Sequence, residues 1–271
     1  MVLERYDVTT SIEIIAPFAA LSFKYYDEPG IPPKKYLVIS DLHLGFEYNF
    51  VEKGIQINSK FFTQQIVSEV HAIIRSFKPD GIILLGDIKD SIVSINSIEW
   101  YHIPRFLKDL SNGYHVYLIP GNHDVKIESL SPADVSIASP TGITIGDTLF
   151  LHGHTMPSSK KSAVNKIVMG HLHPVLNKPD SNLNGERVWI FLRVEKSSVF
   201  KNEEGYLDLV TVPSINRFIT PSNDFRRKNS AVSMSPIIRN ATKSCGYIKR
   251  ALVVCLDGYV LGDERLLPFV T

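Results

Sequence analysis

The strongest constraint on this chain is a series of short apolar runs, each ending in a cluster of carboxylate or imidazole side chains beside a glycine. Tyr36 to Ser40 runs into Asp41-Leu42-His43, and Gly81 to Leu85 into Gly86-Asp87. His115 to Ile119 runs into Pro120-Gly121-Asn122-His123-Asp124, Thr148 to Leu151 into His152-Gly153-His154, and Lys166 to Met169 into Gly170-His171-Leu172-His173. Apolar runs of that length, bounded by turn residues, read as buried strands. A strand that ends in a polar cluster delivers those side chains rigidly to one mouth of a sheet, where open α/β folds place their sites. One such cluster alone is more often a turn with a surface histidine. Five in succession point to one shared site.

Between the first strands the pattern is helical. Phe62, Ile66, Val70, Ile73, Ile74 and Phe77 recur at helical spacing from Ser59 to Phe77, with Asn58 or Ser59 as cap and Pro79 as terminator. A weaker helix is expected from Ser94 to Leu110, interrupted or restarted at Pro104. The order β-α-β-α-β predicts a parallel sheet covered on both faces. The second half is mostly β. Gly146-Asp147 and Asp257-Gly258 sit at hairpin turns, and Val188 to Val194 and Tyr206 to Val212 read as further strands. The expected fold class is therefore α/β, with two mainly mixed β-sheets packed as a sandwich flanked by helices. One domain is expected over 1–271, with 1–30 as an N-terminal extension carrying one strand, Ser11 to Ile15. A mobile loop is expected at 222–236 and a C-terminal β-hairpin region at 237–271.

Composition excludes some classes. The apolar share of 44% and charged share of 21% are those of an ordinary globular protein. Cys245 and Cys255 cannot build a disulfide framework, and no signal peptide or membrane-spanning run is visible, so a reduced, cytoplasmic setting without membrane attachment is expected. A net charge of +1 does not decide for or against a polyanion, since a local patch suffices. Lys160-Lys161 with Lys166, Arg226-Arg227-Lys228 and Lys249-Arg250 are the candidate patches, each of which could equally be solvated surface.

The clustered donors are aspartate, histidine and one asparagine. Mixed nitrogen and oxygen donors suit manganese, iron or zinc better than magnesium or calcium, which prefer oxygen alone. A pair of metals about 3.5–4 Å apart needs a bridging carboxylate and suits in-line phosphoryl displacement. His71, His102 and His115 lie outside the clusters and read as structural or solvated.

The ordered series Asp41-x-His43, Gly86-Asp87, Gly121-Asn122-His123-Asp124, His152, Gly170-His171-x-His173 resembles the signature of calcineurin-like metallophosphoesterases. The resemblance implies a four-layer sandwich and two divalent metal ions, manganese first, with iron or zinc as alternatives. It implies that Asp41, His43, Asp87 and His173 hold one metal, and that Asp87, Asn122, His152 and His171 hold the other. It further implies that His123 is a general acid and not a ligand. Asp90 has the spacing of an aspartate that orients this histidine in some relatives, or is a solvated turn residue; Asp124 is a further catalytic-site candidate. His154 lies behind the ligands or at the substrate mouth, or takes the place of His152. A finer resemblance rests on Tyr36 to Glu47, Gly54-Ile55 and Gly170 to Pro174, which are similar to a small archaeal group related to SbcD-type repair nucleases. It implies manganese-dependent hydrolysis of DNA in repair or processing, with a DNA helicase as partner. The chain lacks the long C-terminal regions of the full-size nucleases, so single-stranded or flexible DNA is the expected substrate. A small-molecule phosphodiesterase or phosphatase is the alternative, and a quiet binding scaffold the third. Oligomeric state stays open, a homodimer included.

Overall fold

A computed structural model describes residues 9–28, 30–55, 61–158, 163–219, 235–243 and 246–270. The first sheet has strand order β1-β2-β3-β4-β5-β6: Thr10–Ile14, Leu21–Tyr25, Lys34–Ile39, Gly81–Leu84, His115–Leu118 and Val135–Ile137. β3 to β6 are parallel, and β1 and β2 add antiparallel at the edge. The second sheet has order β13-β12-β10-β11-β9-β8-β7. Its strands are β7 Ile143–Ile145, β8 Thr148–Leu151, β9 Lys166–Met169, β10 Val188–Glu195, β11 Tyr206–Thr211, β12 Ile248–Cys255 and β13 Val260–Gly262. Both sheets are mixed, as the sequence predicts.

The period-two alternation of each strand divides its side chains between two apolar layers. In β3, Val38 faces the second sheet while Leu37 and Ile39 face the helices; in β4, Ile83 and the pair Ile82 and Leu84 divide likewise. The layer between the sheets is closed by Phe23, Val38, Ile83, Phe150, Val168 and Trp189, all fully buried. The outer layer of the first sheet packs on α2, Phe61–Phe77, through Ile66, Val70, Ile73 and Ile74, and on α3, Ser97–Ser111, through Ile103, Phe106, Leu107 and Leu110. On the far side, α4, Pro236–Thr242, lays Ile237, Ile238 and Ala241 against the second sheet, which completes four layers.

Four local expectations change. Within 1–30, the described residues contribute two strands, not one, at the edge of the first sheet; the alternation Leu21-Ser22-Phe23-Lys24-Tyr25 drives Leu21 and Phe23 into the core between the sheets. Pro104 lies inside an unbroken α3. A capping box at Asn96 and Glu99 starts that helix, and the buried apolar side chains on either side of Pro104 hold it together. A short helix, α1 Tyr48–Glu52, follows the first ligand loop. Most of the loop expected at 222–236 lies outside the described residues, and Pro236 opens α4, ahead of the C-terminal hairpin. The expected caps Asn58 and Ser59 also lie outside them.

Candidate metal centre

Every cluster sits where its strand ends. Asp41 and His43 follow β3, Asp87 follows β4, and Asn122 and His123 follow β5. His152 follows β8, and His171 and His173 follow β9. The site therefore spans the same end of both sheets. The first two loops are fastened together by backbone bonds that prolong the β3–β4 pairing: Asp41 N–H to Gly86 C=O at 3.1 Å, His43 N–H to Asp87 C=O at 2.8 Å, and Leu44 N–H to Ile88 C=O at 2.8 Å.

The backbone here is held in an uncommon form. Asp41, His43, Asp87, His171 and His173 all have left-handed φ, between 43° and 71°. Such a conformation costs a non-glycine residue on the order of 1–3 kcal/mol, is tolerated where surroundings impose it, and concentrates at functional sites. The neighbouring glycines serve close approach. A Cβ at Gly121 would lie 2.1 Å from Asp87 Oδ1, and one at Gly170 would lie 1.7 Å from Ser40 Oγ.

Ligand atoms of Asp41, His43, Asp87 and His173 all lie within 4.8 Å of one another, and so do those of Asp87, His152 and His171. Asp87 belongs to both groups. Its Oδ2 is 3.6 Å from His43 Nε2 on one side and 3.3 Å from His152 Nε2 on the other, while its Oδ1 accepts the His123 N–H at 2.9 Å. In the first group His43 Nε2 and His173 Nε2 are 3.3 Å apart, and His173 Nε2 is 3.0 Å from Asp41 Oδ1. In the second, His152 Nδ1 donates to Leu85 C=O at 2.6 Å, which turns Nε2 toward the cluster. His152 Nε2 and Asn122 Oδ1 are buried with no hydrogen-bond partner. Buried polar atoms are rarely left so, and these two point to a cation. The donor set fits two divalent metal ions, with Asp87 between them.

The charges agree. Burial alone would raise the Asp41 carboxyl, yet His173 and His152 bring it down to about 2; Asp87 is likewise held below the carboxylate range by His152 and His43. Burial opposes protonation of His152, but Asp87 and Asp41 raise it to about 9, and Asp41 also raises His173. His171 falls to about 3, through burial and then the neighbouring His152. The cluster thus holds its carboxylates ionised against cationic imidazoles, a role that metal ions take over on binding.

The other expected residues divide. His123 belongs to neither of the two groups that share Asp87, although its ring nitrogen falls with His43 and Asp90 in a third set of donor atoms within 4.8 Å of one another; its ring stands 4.8 Å from that of His43, edge to face, and its Nδ1 is bonded to the Asp90 C=O. Asp90 therefore holds His123 through its backbone. Its carboxylate faces His43 Nδ1 at 3.2 Å, accepts from Asn49 Nδ2 at 2.8 Å, and keeps an oxygen within 4.8 Å of a His123 ring nitrogen. Asp124 takes no part in the ligand groups. It is buried and clamps two loops, accepting from Ile88 N–H at 2.9 Å, Lys89 N–H at 3.2 Å and Gly121 N–H at 2.9 Å. His154 is half-buried, its ring 5.3 Å from that of His152 and 6.1 Å from that of His171, and burial followed by the charge of His152 lowers it to about 4. It stands beside the second group without joining it.

Some supporting residues are not evident in the sequence. Ser214 Oγ donates to Asp41 C=O at 2.8 Å and Asn216 Nδ2 to Leu42 C=O at 2.9 Å, so the segment after β11 crosses back and fastens the first ligand loop. The only cue is a Ser-Ile-Asn turn directly after a strand. Of the candidate basic patches, Lys166 is bonded to Asp147 and Thr10, each at 2.8 Å, and Lys249 pairs with Glu195 at 2.8 Å. Lys160, Lys161 and Arg226 to Lys228 lie outside the described residues.

Two mixed sheets that meet at a dinuclear cradle of aspartate, asparagine and histidine define a metal-dependent phosphoesterase. The family model described as calcineurin-like phosphoesterase matches residues 34–196, and the chain belongs to that family. Among solved structures, it is similar to nuclease MPE of Pseudomonas putida, with 16% identity over 79% of this chain and 92% of that one, at a TM-score of 0.45. It is also similar to YfcE, a phosphoesterase from E. coli, with 12% identity over 85% of this chain and 98% of that one, at a TM-score of 0.41. No curated protein matches. Among the described residues, no helix is long and apolar enough to cross a membrane.

Proposed function

We propose that the protein is a manganese-dependent nuclease that hydrolyses phosphodiester bonds of DNA, single strands first, in the cytoplasm and in repair or processing. The observation that supports this most is the setting of His123. It is half-buried, stands outside the two donor groups that share Asp87 but within 4.8 Å of donor atoms of His43 and Asp90, and is anchored at Nδ1 on a backbone carbonyl. That anchor leaves Nε2 to carry a proton to the departing 3′ or 5′ oxygen of a nucleic-acid strand, an alkoxide too basic to leave unaided. Two divalent ions in this cradle supply positive charge to the phosphoryl oxygens and lower the pKa of attacking water. Asp41, Asp87, Asn122, His43, His152, His171 and His173 are the residues that hold them.

The surroundings favour a strand. Asn49, which bonds Asp90, belongs to α1, whose Phe50 and Val51 are exposed; the loop after Asp90 exposes Ile92 and Val93, the latter 80% accessible. Exposed apolar side chains at the rim of a phosphoesterase site give unstacked bases a surface to rest on. A DNA helicase that generates single strands is the proposed partner. The test is direct. The purified protein with Mn²⁺ is offered single-stranded DNA, duplex DNA, RNA, cyclic nucleotides and a chromogenic phosphomonoester, with Asp87→Ala as control. Single-stranded DNA is expected to turn over fastest. Turnover confined to cyclic nucleotides or the phosphomonoester would replace this reading with that of a small-molecule phosphoesterase.

A further inference from the structure

We propose that Glu99, a buried carboxylate outside every ligand cluster, is a positioning residue that sets the proton-bearing His123 through the backbone of Asp90. The proposal rests on the reading of His123 as the acid. Glu99 is fully buried at the start of α3. Its Oε2 accepts the Asn96 N–H at 2.8 Å, the ordinary bond of a capping box. Its Oε1 does something a cap does not require. It accepts the N–H of Asp90 at 3.0 Å and of Ser91 at 2.7 Å, in the loop that leaves the bridging Asp87.

That loop bears both contacts that orient imidazoles on this side of the site. The Asp90 C=O holds His123 Nδ1, and the Asp90 carboxylate lies 3.2 Å from His43 Nδ1. Fixing the Asp90 peptide therefore fixes the direction of the His123 anchor. Two further features serve the same loop. Lys89, also fully buried, bonds its Nζ to Ser91 C=O and, at 3.2 Å, to Ser94 C=O, and Asn96 Nδ2 reaches Ser91 Oγ at 2.9 Å. Gly45, at φ +91°, lets the Glu99 stem pass; a Cβ there would lie 2.7 Å from Glu99 Cγ. Buried charges of opposite sign thus grip the Asp90 loop from two sides, Glu99 by its N–H groups and Lys89 by its carbonyls. A charge-assisted bond of this kind is stronger than a neutral one, so the loop is held more firmly than helix capping alone would demand.

The experiment compares wild type, Glu99→Gln and His123→Ala, each loaded with Mn²⁺ and assayed for metal content and thermal stability. Glutamine keeps the shape of Glu99 but presents an NH₂ where one oxygen accepted, so one side of the clamp must open. Metal-free Glu99→Gln is expected to exchange the backbone amides of Asp90 and Ser91, or that of Asn96, at least about tenfold faster than wild type. With metals bound, its kcat on a single-stranded oligonucleotide should fall about 10- to 100-fold at unchanged KM, while kcat on bis(4-nitrophenyl) phosphate, whose nitrophenolate departs without a proton, changes less than about threefold. His123→Ala should show the same selectivity, more strongly. Should Glu99→Gln not fold, Glu99→Asp keeps the charge, shortens the reach by one methylene, and is expected to show the selective loss. Equal losses on both substrates, or none, beside a selective His123→Ala would reduce Glu99 to a cap and overturn the proposal. No selectivity in His123→Ala would remove the acid role of His123 itself, and the positioning role with it.

Discussion

Gly121→Ala is the substitution that most directly tests how the two halves of the metal cradle meet. The added Cβ would lie 2.1 Å from Asp87 Oδ1, 2.6 Å from the Asp87 backbone N and 2.9 Å from Asp87 Cγ. Roughly 1 Å of retreat is needed before the carboxylate oxygen regains van der Waals contact. The backbone nitrogen cannot swing away as a side chain can. Retreat of Oδ1 also breaks its 2.9 Å bond from the His123 N–H. Loss of a bond to a charged acceptor costs about 1.5–3 kcal/mol, and forced overpacking about 1–3 kcal/mol. The sum is about 2.5–6 kcal/mol, or a fall in Tm on the order of 10 °C for a chain of this size. Since Asp87 faces both ligand groups, metal affinity should fall as well, by at least about tenfold. Thermal melting of the metal-free protein and metal analysis after dialysis read the two effects separately. Gly113→Ala is the control: a Cβ there meets nothing within 4 Å, and its change should stay within about 0.5 kcal/mol. A Gly121→Ala protein that melts with wild type and keeps both metals would refute the claim that this approach is tight.

Asn122→Ala should leave the metal-free protein within about 1 kcal/mol of wild type, because the deleted Oδ1 has no hydrogen-bond partner to lose. Metal analysis should show its content falling from two ions toward one, and an unchanged stoichiometry would remove Asn122 from the ligand set. Asp147 predicts a pH effect away from the site. Burial opposes its ionisation, but Lys166 and Thr10 hold the carboxyl below its usual value. Its folded-state pKa is thus depressed, so its contribution is present above the ordinary carboxylate range, near pH 4, and is lost as pH falls through the lower folded value. Partial exposure keeps that contribution to roughly 1 kcal/mol or less. Denaturant melts of Asp147→Asn between neutral pH and pH 3 should show a shallower acid loss than wild type; parallel curves would refute the assignment.

The candidate ligands stood out in the sequence because each combines three local signals: a short apolar strand, a glycine and a donor side chain. Asp41, Asp87 and His171 carry them within a few residues. The supports were not legible, because their signal is spread over distance. Glu99 reads as a capping residue, and only the fold brings its second oxygen to the Asp90 amide. Ser214 and Asn216 lie 173 and 174 positions from the backbone groups they bind. Asp90 was legible as a spacing but not as a contact, since spacing cannot say whether its carboxylate or its carbonyl faces His123.

The distribution of the donors over two sheets carries a further consequence. Asp41, His43, Asp87 and Asn122 ride on the first sheet, and His152, His171 and His173 on the second. Both groups that share Asp87 mix the two: His173 joins Asp41, His43 and Asp87, and Asp87 joins His152 and His171, whereas the smaller set of His43, Asp90 and His123 lies on the first sheet alone. Neither sheet holds either Asp87 group complete, so the cradle exists only when the sheets are packed. Their spacing is fixed by the buried layer of Phe23, Val38, Ile83, Phe150, Val168 and Trp189. Close-packed interiors resist compression and transmit strain. The distance between the donors of one sheet and those of the other is thereby set by apolar side chains that touch no ligand. The same packing sustains the left-handed backbone at Asp41, His43, Asp87, His171 and His173, which local propensity alone would not keep. In this chain the core between the sheets is a part of the metal centre.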